Sequence, residues 1–198
     1  METSPPKSPG TQTVDRALRI LRGFLSGPPR KSLQAIAREQ RLHKSIAFRL
    51  LRSLEDQGFV QQDPISKEYR LGLTLLELGE AARAGLDMRR EALPFIADLV
   101  QQTGETAYLT VRSGDEAVCV EVKESPSAVR VAYRVGLRHP LHLGAPGKVL
   151  LAFDGESLEQ FLLRRGTEMA PDELQRLHSD LAEIRLQGYA YTAGELED

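Results

Sequence analysis

Between residues 45 and 58 apolar and polar side chains alternate with a helical period. Ala47, Leu50, Leu51 and Leu54 stand at i, i+3, i+4 and i+7 and define one buried stripe. At about 100° per residue, Ser45, Arg49 and Arg52 point away from that stripe, and Ile46 and Phe48 lie on its flanks. Ser45 is expected to cap this helix through its hydroxyl, and Gly58 suits its C-terminal end. A preceding helix buries Leu33, Ile36 and Ala37, with Ser32 as its cap. After the second helix, Val60 and the run Tyr69, Arg70, Leu71 flank DPISKE, where Asp63 and Pro64 open a turn and Lys67 sits near its tip. Pro64 is out of place in a central strand and at home in such a turn. Helix, turn, helix and hairpin in this order predict a winged helix-turn-helix over residues 13–72. The connecting turn RLHK has Arg41 where glycine is common.

The same reading extends to both sides. Residues 14–25 form a first helix with Thr13 as cap and Ala17, Leu18, Leu21, Phe24 and Leu25 as its stripe. Residues 1–12 are rich in Pro, Ser and Thr and read as a disordered tail. Leu75, Leu76, Leu78, Ala82 and Leu86 predict a linking helix over residues 73–87. A second domain, residues 88–198, follows. It opens with a helix over 90–103, continues in strands over 106–112, 117–123 and 128–135, and then has helices over 157–165 and 171–187. The segment GYAYTAGELED begins a strand or loop at a point where a mixed sheet needs more strands, so this domain is expected to be incomplete at its C-terminal side. The fold class expected is α+β.

Charge separates the two parts. Residues 1–75 hold 13 Lys and Arg against 7 Asp and Glu, a net +6, and the remainder holds 13 against 21, a net −8. The near-neutral total of −2 thus conceals a basic front, which suits phosphate contacts, and an acidic back. Taken alone, Arg49 and Arg52 fit solvated charges equally well; the hairpin that follows them favours DNA.

Other chemistry is sparse. No apolar run approaches the ~20 residues of a membrane-spanning helix, no secretory signal is evident, and a cytoplasmic protein with no membrane partner is expected. The single cysteine, Cys119, excludes an internal disulfide and reads as a small buried strand residue. GAPGKV departs from a phosphate-binding loop, which needs Gly at 142 and Ser or Thr at 149, where His142 and Val149 stand. His139 and His142 lack companion ligands for a metal, no nucleophile elbow occurs, and the pairs Asp115-Glu116 and Asp172-Glu173 look solvated. Neither an enzyme nor a cofactor is indicated.

The stretches VDRALRILRGF, LQAIAREQRLHKSIAFRLLRSLEDQGFV, YRLGLTLLELG and RVGLRHPLHLGAPGKVLLAF, in this order, resemble the IclR-type bacterial transcriptional regulators across residues 13–195. The resemblance implies a winged helix-turn-helix, a linker helix and an α/β effector-binding domain with a GAF-like sheet. It also implies dimers through the N-terminal region and often tetramers through the effector domains. It assigns DNA contacts to Lys44, Ser45, Ile46, Phe48 and Arg49; helical projection independently selects Ser45, Arg49 and Arg52, and Lys67 in the wing is expected at phosphate or minor groove. It assigns the effector to Ala128, Ala145, Pro146, Thr192 and Glu195. Residues 144–147 are a small-residue loop at a helix start, whose N–H groups can hold a carboxylate or simply make a tight packed turn; Pro146 removes one donor. The function implied is a regulator whose grip on a roughly palindromic operator is set by a small organic or aromatic acid. An enzyme with an appended DNA-binding domain and a DNA-binding scaffold without ligand are the alternatives.

Overall fold

The computed structural model describes residues 11–128, 133–166 and 169–196. The chain divides into two compact units, Met1–Gly85 and Leu86–Asp198.

The first unit runs α1 (Thr11–Arg22), α2 (Leu33–Glu39), α3 (Lys44–Asp56), β1 (Val60–Gln62), β2 (Tyr69–Leu71) and α4 (Thr74–Ala84). The two strands pair antiparallel, with Gln61 opposite Arg70. Ile20, Phe24, Ile36, Leu50, Leu51, Val60 and Tyr69 form its core, so the stripe read on α3 is the face that packs. Most of the tail expected over residues 1–12 lies outside the described residues, but Thr11 and Gln12 already belong to α1. That helix ends at Arg22, and Leu18 and Leu25, expected in its stripe, are exposed. The packing face is centred on Ala17, Ile20, Leu21 and Phe24 instead.

Two local details differ from expectation. The N-cap of α3 is His43, not Ser45: His43 is extended (φ −63°, ψ 142°), and its Nδ1 accepts the Ser45 N–H. An imidazole nitrogen here takes the place of the hydroxyl acceptor that pattern reading looks for. Arg41 adopts φ 52°, the left-handed backbone that usually calls for glycine, so the turn keeps its geometry despite the residue. One buried charge was not foreseen. Lys31 is 6% exposed, donates to Glu39 Oε2 (2.6 Å) and the Gly23 carbonyl (2.8 Å), and exchanges backbone bonds with Tyr69. It fastens the end of α1, α2 and the hairpin together, and its burial is tolerable because the ammonium is paired.

The second unit begins with α5 (Asp87–Thr103), which starts three residues before the expected helix and stops at left-handed Gly104. β3 (Ala107–Ser113) and β4 (Glu116–Lys123) form an antiparallel hairpin with an irregularity between Leu109 and Thr110. Of the third expected strand, residues 129–132 lie outside the described residues; among the described residues β4 pairs on its other edge with β5 (Arg138–Pro140), inside what was read as a loop. α6 (Gly144–Phe153), α7 (Leu158–Arg165) and α8 (Pro171–Gln187) follow. Ser157 and Gln160 close a capping box on α7, and Asp172 and Glu173 occupy the first turn of α8, where the helix dipole favours them. The core joins Ala117, Leu141, Leu151, Phe161, Leu181 and Ile184. Cys119 is fully buried on β4. Arg112 pairs with Asp154 and Glu156, and Arg164 with Glu156 and Asp115, tying the β3–β4 turn to the α6–α7 connection. Residues 189–196 form no strand. Among the described residues no helix is long and apolar enough to cross a membrane.

Candidate functional site

α3 is held by Ala47, Leu50 and Leu51 and leaves Lys44, Ser45, Ile46, Phe48, Arg49 and Arg52 exposed. All six residues expected on the recognition helix therefore share an accessible surface. Their freedom differs. Lys44 opens the helix, and the Ser45 hydroxyl lies 2.8 Å from His43 Nδ1. Arg49 makes no ion pair among the described residues, whereas Arg52 Nε lies 3.5 Å from Asp56 Oδ1 and its Nη1 4.0 Å from Glu55 Oε2. An exposed pair of that kind is worth under ~1 kcal/mol, so it restrains Arg52 without disabling it. The hairpin is fixed to α3 by the Gln62 N–H, which donates to Glu55 Oε1 (2.9 Å). At its tip the Ser66 and Ile65 N–H groups hold the Asp63 carboxyl below the usual carboxylate range. Lys67 stands exposed at φ 59°.

In the second unit the first turn of α6 gathers four of the five residues expected at the effector site. Glu195 Oε2 accepts the Gly144 N–H (2.9 Å), and Thr192 Oγ1 accepts the Ala145 N–H (3.1 Å). Pro146 is next in the same turn and half-buried; Ala128 is exposed elsewhere, at the edge of the described segment. The amides expected to be open to a ligand are thus satisfied by the chain's own side chains. Sequence reasoning missed the residue at the centre. Lys148, 7% exposed, donates to Glu195 Oε1 and to Asp180 Oδ2, each at 2.8 Å. Burial opposes its charge, but the hydrogen bonds to Asp180 and Glu195 outweigh burial and hold its pKa above the usual lysine value. The Lys of GAPGK was the available signal, weighed only against a phosphate loop.

The Lys148–Asp180–Glu195 cluster lines two cavities. One, about 340 Å³, is lined by Tyr189, Tyr191, Thr192 and Gln187; the other, about 550 Å³, by His142, Met169, Glu173 and Arg176. His142 is held below the usual histidine pKa by burial and by the Arg165 guanidinium beside it. Burial does the same to His139, whose Nδ1 lies 3.2 Å from Tyr133 Oη. Among the described residues no group of three His, Cys, Asp or Glu is arranged for a metal.

Residues 13–64 match the IclR helix-turn-helix domain, and residues 81–198 match the C-terminal domain of the bacterial transcriptional regulator IclR. The chain belongs to the IclR family. It is 36% identical over 194 residues to the HTH-type transcriptional regulator XynR of Escherichia coli, covering 96% of this chain and 77% of that protein. It is 40% identical over 143 residues to the glycerol operon regulatory protein of Streptomyces griseus, covering 72% of this chain and 56% of that protein. Among solved structures, an IclR regulator from Alicyclobacillus acidocaldarius superposes with a TM-score of 0.80 at 34% identity, over 94% of this chain and 77% of that one. An IclR homolog from Microbacterium hydrocarbonoxydans, complexed with 4-hydroxybenzoate, gives 0.78 at 26%, over 93% and 78%. This IclR protein is a DNA-binding transcriptional regulator with a wing-bearing helix-turn-helix and an effector-binding domain, and the family consists of regulators rather than enzymes.

Proposed function

We propose that this IclR regulator grips a roughly palindromic operator as a homodimer and that a small organic or aromatic acid, held at the start of α6, changes that grip. In this reading residues 13–72 carry operator binding, 73–87 link, and 88–198 take the effector, in the cytoplasm where the DNA lies. The observation that carries the DNA half is the Arg49 guanidinium, without an ion pair among the described residues, on the exposed face of α3 beside Phe48. Arg49 can fork onto a guanine edge, Phe48 and Ile46 can meet thymine methyls, and Lys44, Ser45, Arg52 and Lys67 supply phosphate or further base contacts. The exposed Leu73, Leu76 and Leu78 on and beside α4 support pairing with a second copy, and tetramers through the effector domains belong to the same reading.

For the effector, Ala145, Thr192 and Glu195 with Lys148 make a polar lining, and Ala128 and Pro146 complete the proposed set. The 4-hydroxybenzoate bound by the Microbacterium homolog supports an acid. A carboxylate entering here must take the Gly144 or Ala145 amide from Glu195 or Thr192. A ligand shifts operator binding only if it favours one arrangement of the protein over another. Thermal-shift titration with a panel of small aliphatic and aromatic acids, followed by operator-release assays, tests the reading. An acid that stabilises the protein and changes operator affinity supports it; a panel without stabilisation, or stabilisation with operator affinity unchanged, contradicts it.

A further inference from the structure

We propose that Ile65, at the tip of the β1–β2 wing, is a DNA-contacting residue that packs as an apolar wedge into the minor groove flanking the site read by α3. The proposal rests on α3 lying in the major groove. Ile65 is 91% exposed, more than any other large apolar side chain among the described residues. Lone exposed apolar residues are common, and exposure by itself carries little. What distinguishes Ile65 is how firmly it is presented. Asp63 Oδ1 accepts the N–H of Ile65 (2.9 Å) and of Ser66 (2.8 Å). Below them the Lys67 N–H donates to the Asp63 carbonyl (3.0 Å), the Asp63 N–H to the Glu68 carbonyl (2.8 Å), and Gln62 Nε2 to the Lys67 carbonyl (2.9 Å). Arg30 adds a charge contact to Asp63 at 3.6 Å.

The tip is therefore ordered before any partner arrives, and little conformational freedom is left to lose on binding. Lys67, two residues on in the same turn, is exposed and holds φ 59°, where glycine would relieve the backbone strain. An exposed apolar side chain and an exposed lysine in one turn, on a fixed tip attached to α3 through Gln62 and Glu55, match a groove with apolar sugar walls and phosphate rims. Such a wedge reads groove width and step flexibility rather than base edges.

The test uses the full chain and the operator it selects from random duplex DNA, with binding measured across a salt series for Ile65→Ala, Ile65→Met, Lys67→Ala and Arg49→Ala. Ile65→Ala should weaken binding ~10-fold, the scale of one buried aliphatic side chain. Its salt slope and thermal midpoint should match wild type, and Ile65→Met should restore affinity. Lys67→Ala should instead flatten the slope by about one unit. Wild-type affinity in Ile65→Ala, while Arg49→Ala loses binding, overturns the wedge and leaves the α3 reading standing. If Arg49→Ala also binds as wild type, both fall.

Discussion

The Glu195 carboxylate is seated on the first turn of α6, its Oε2 2.9 Å from the Gly144 amide nitrogen. Its other oxygen holds Lys148 (2.8 Å), so one side chain satisfies a helix end and a buried cation at once. Glu195→Ala leaves Lys148 with Asp180 alone and frees the Gly144 N–H. The expected loss is about 1–3 kcal/mol, the range for a buried polar group left under-paired, read from urea denaturation. Glu195→Gln should recover part of it through the Gly144 hydrogen bond. Under the proposed function, acid affinity rises in Glu195→Ala because the ligand no longer competes with an internal carboxylate; a fall would show that Glu195 itself helps bind the acid.

Gly147 permits the approach of α6 to the end of β5 and the residue that follows it. A Cβ there would stand 2.8 Å from the carbonyl oxygens of both Leu141 and Pro140, backbone atoms that cannot turn aside. Gly147→Ala should destabilise the second unit by about 1–3 kcal/mol, the usual penalty of overpacking. A thermal midpoint equal to wild type would contradict this packing.

Arg41 sits at φ 52° in the turn before α3. Replacing it with glycine removes the left-handed penalty but adds chain entropy, so Arg41→Gly should stabilise by up to about 1 kcal/mol. A clear loss of stability would mean that the arginine side chain contributes more than its backbone costs.

Acid should weaken the second unit in two stages. His139 and His142 have folded pKa values lowered from the ordinary 6.5, so the unfolded chain takes up protons first. Their contribution is complete above about pH 6.5 and declines as pH falls below it. Glu156, lowered from 4.5 by Arg164 and Arg112, contributes above that value and loses its contribution as pH falls through its folded pKa. Lys148, raised from 10.5, contributes below that value and loses its contribution as pH rises through its folded pKa. Urea midpoints followed from pH 8 to 4 check the acid limb; a flat profile between pH 7 and 5.5 would contradict the histidine stage.

The α3 stripe was legible because a period of 3.6 needs only neighbours a few residues away. The helix expected over 171–187 likewise has the bounds read from the sequence, Pro171–Gln187, with Asp172 and Glu173 in its first turn. Lys31 and Lys148 were illegible for the opposite reason: a lysine in sequence looks like surface, and its partners lie 8, 32 and 47 residues away. β5 was missed because Arg138, His139 and Pro140 carry no strand signal and pair with β4 through the backbone. Ser45 was misplaced as a cap because an imidazole, that of His43, does that work two residues earlier. The effector residues came from resemblance alone; the structure adds that Glu195 and Thr192 already occupy the amides.

The central claim is sequence-specific operator recognition by paired recognition helices. Selection of sites from a random duplex library tests it most directly, with Arg49→Ala beside wild type. The account predicts an inverted repeat for wild type and a loss of about 1–3 kcal/mol in specific binding for the variant. Salt-sensitive binding without any enriched sequence, or the same repeat held equally well by Arg49→Ala, would contradict it.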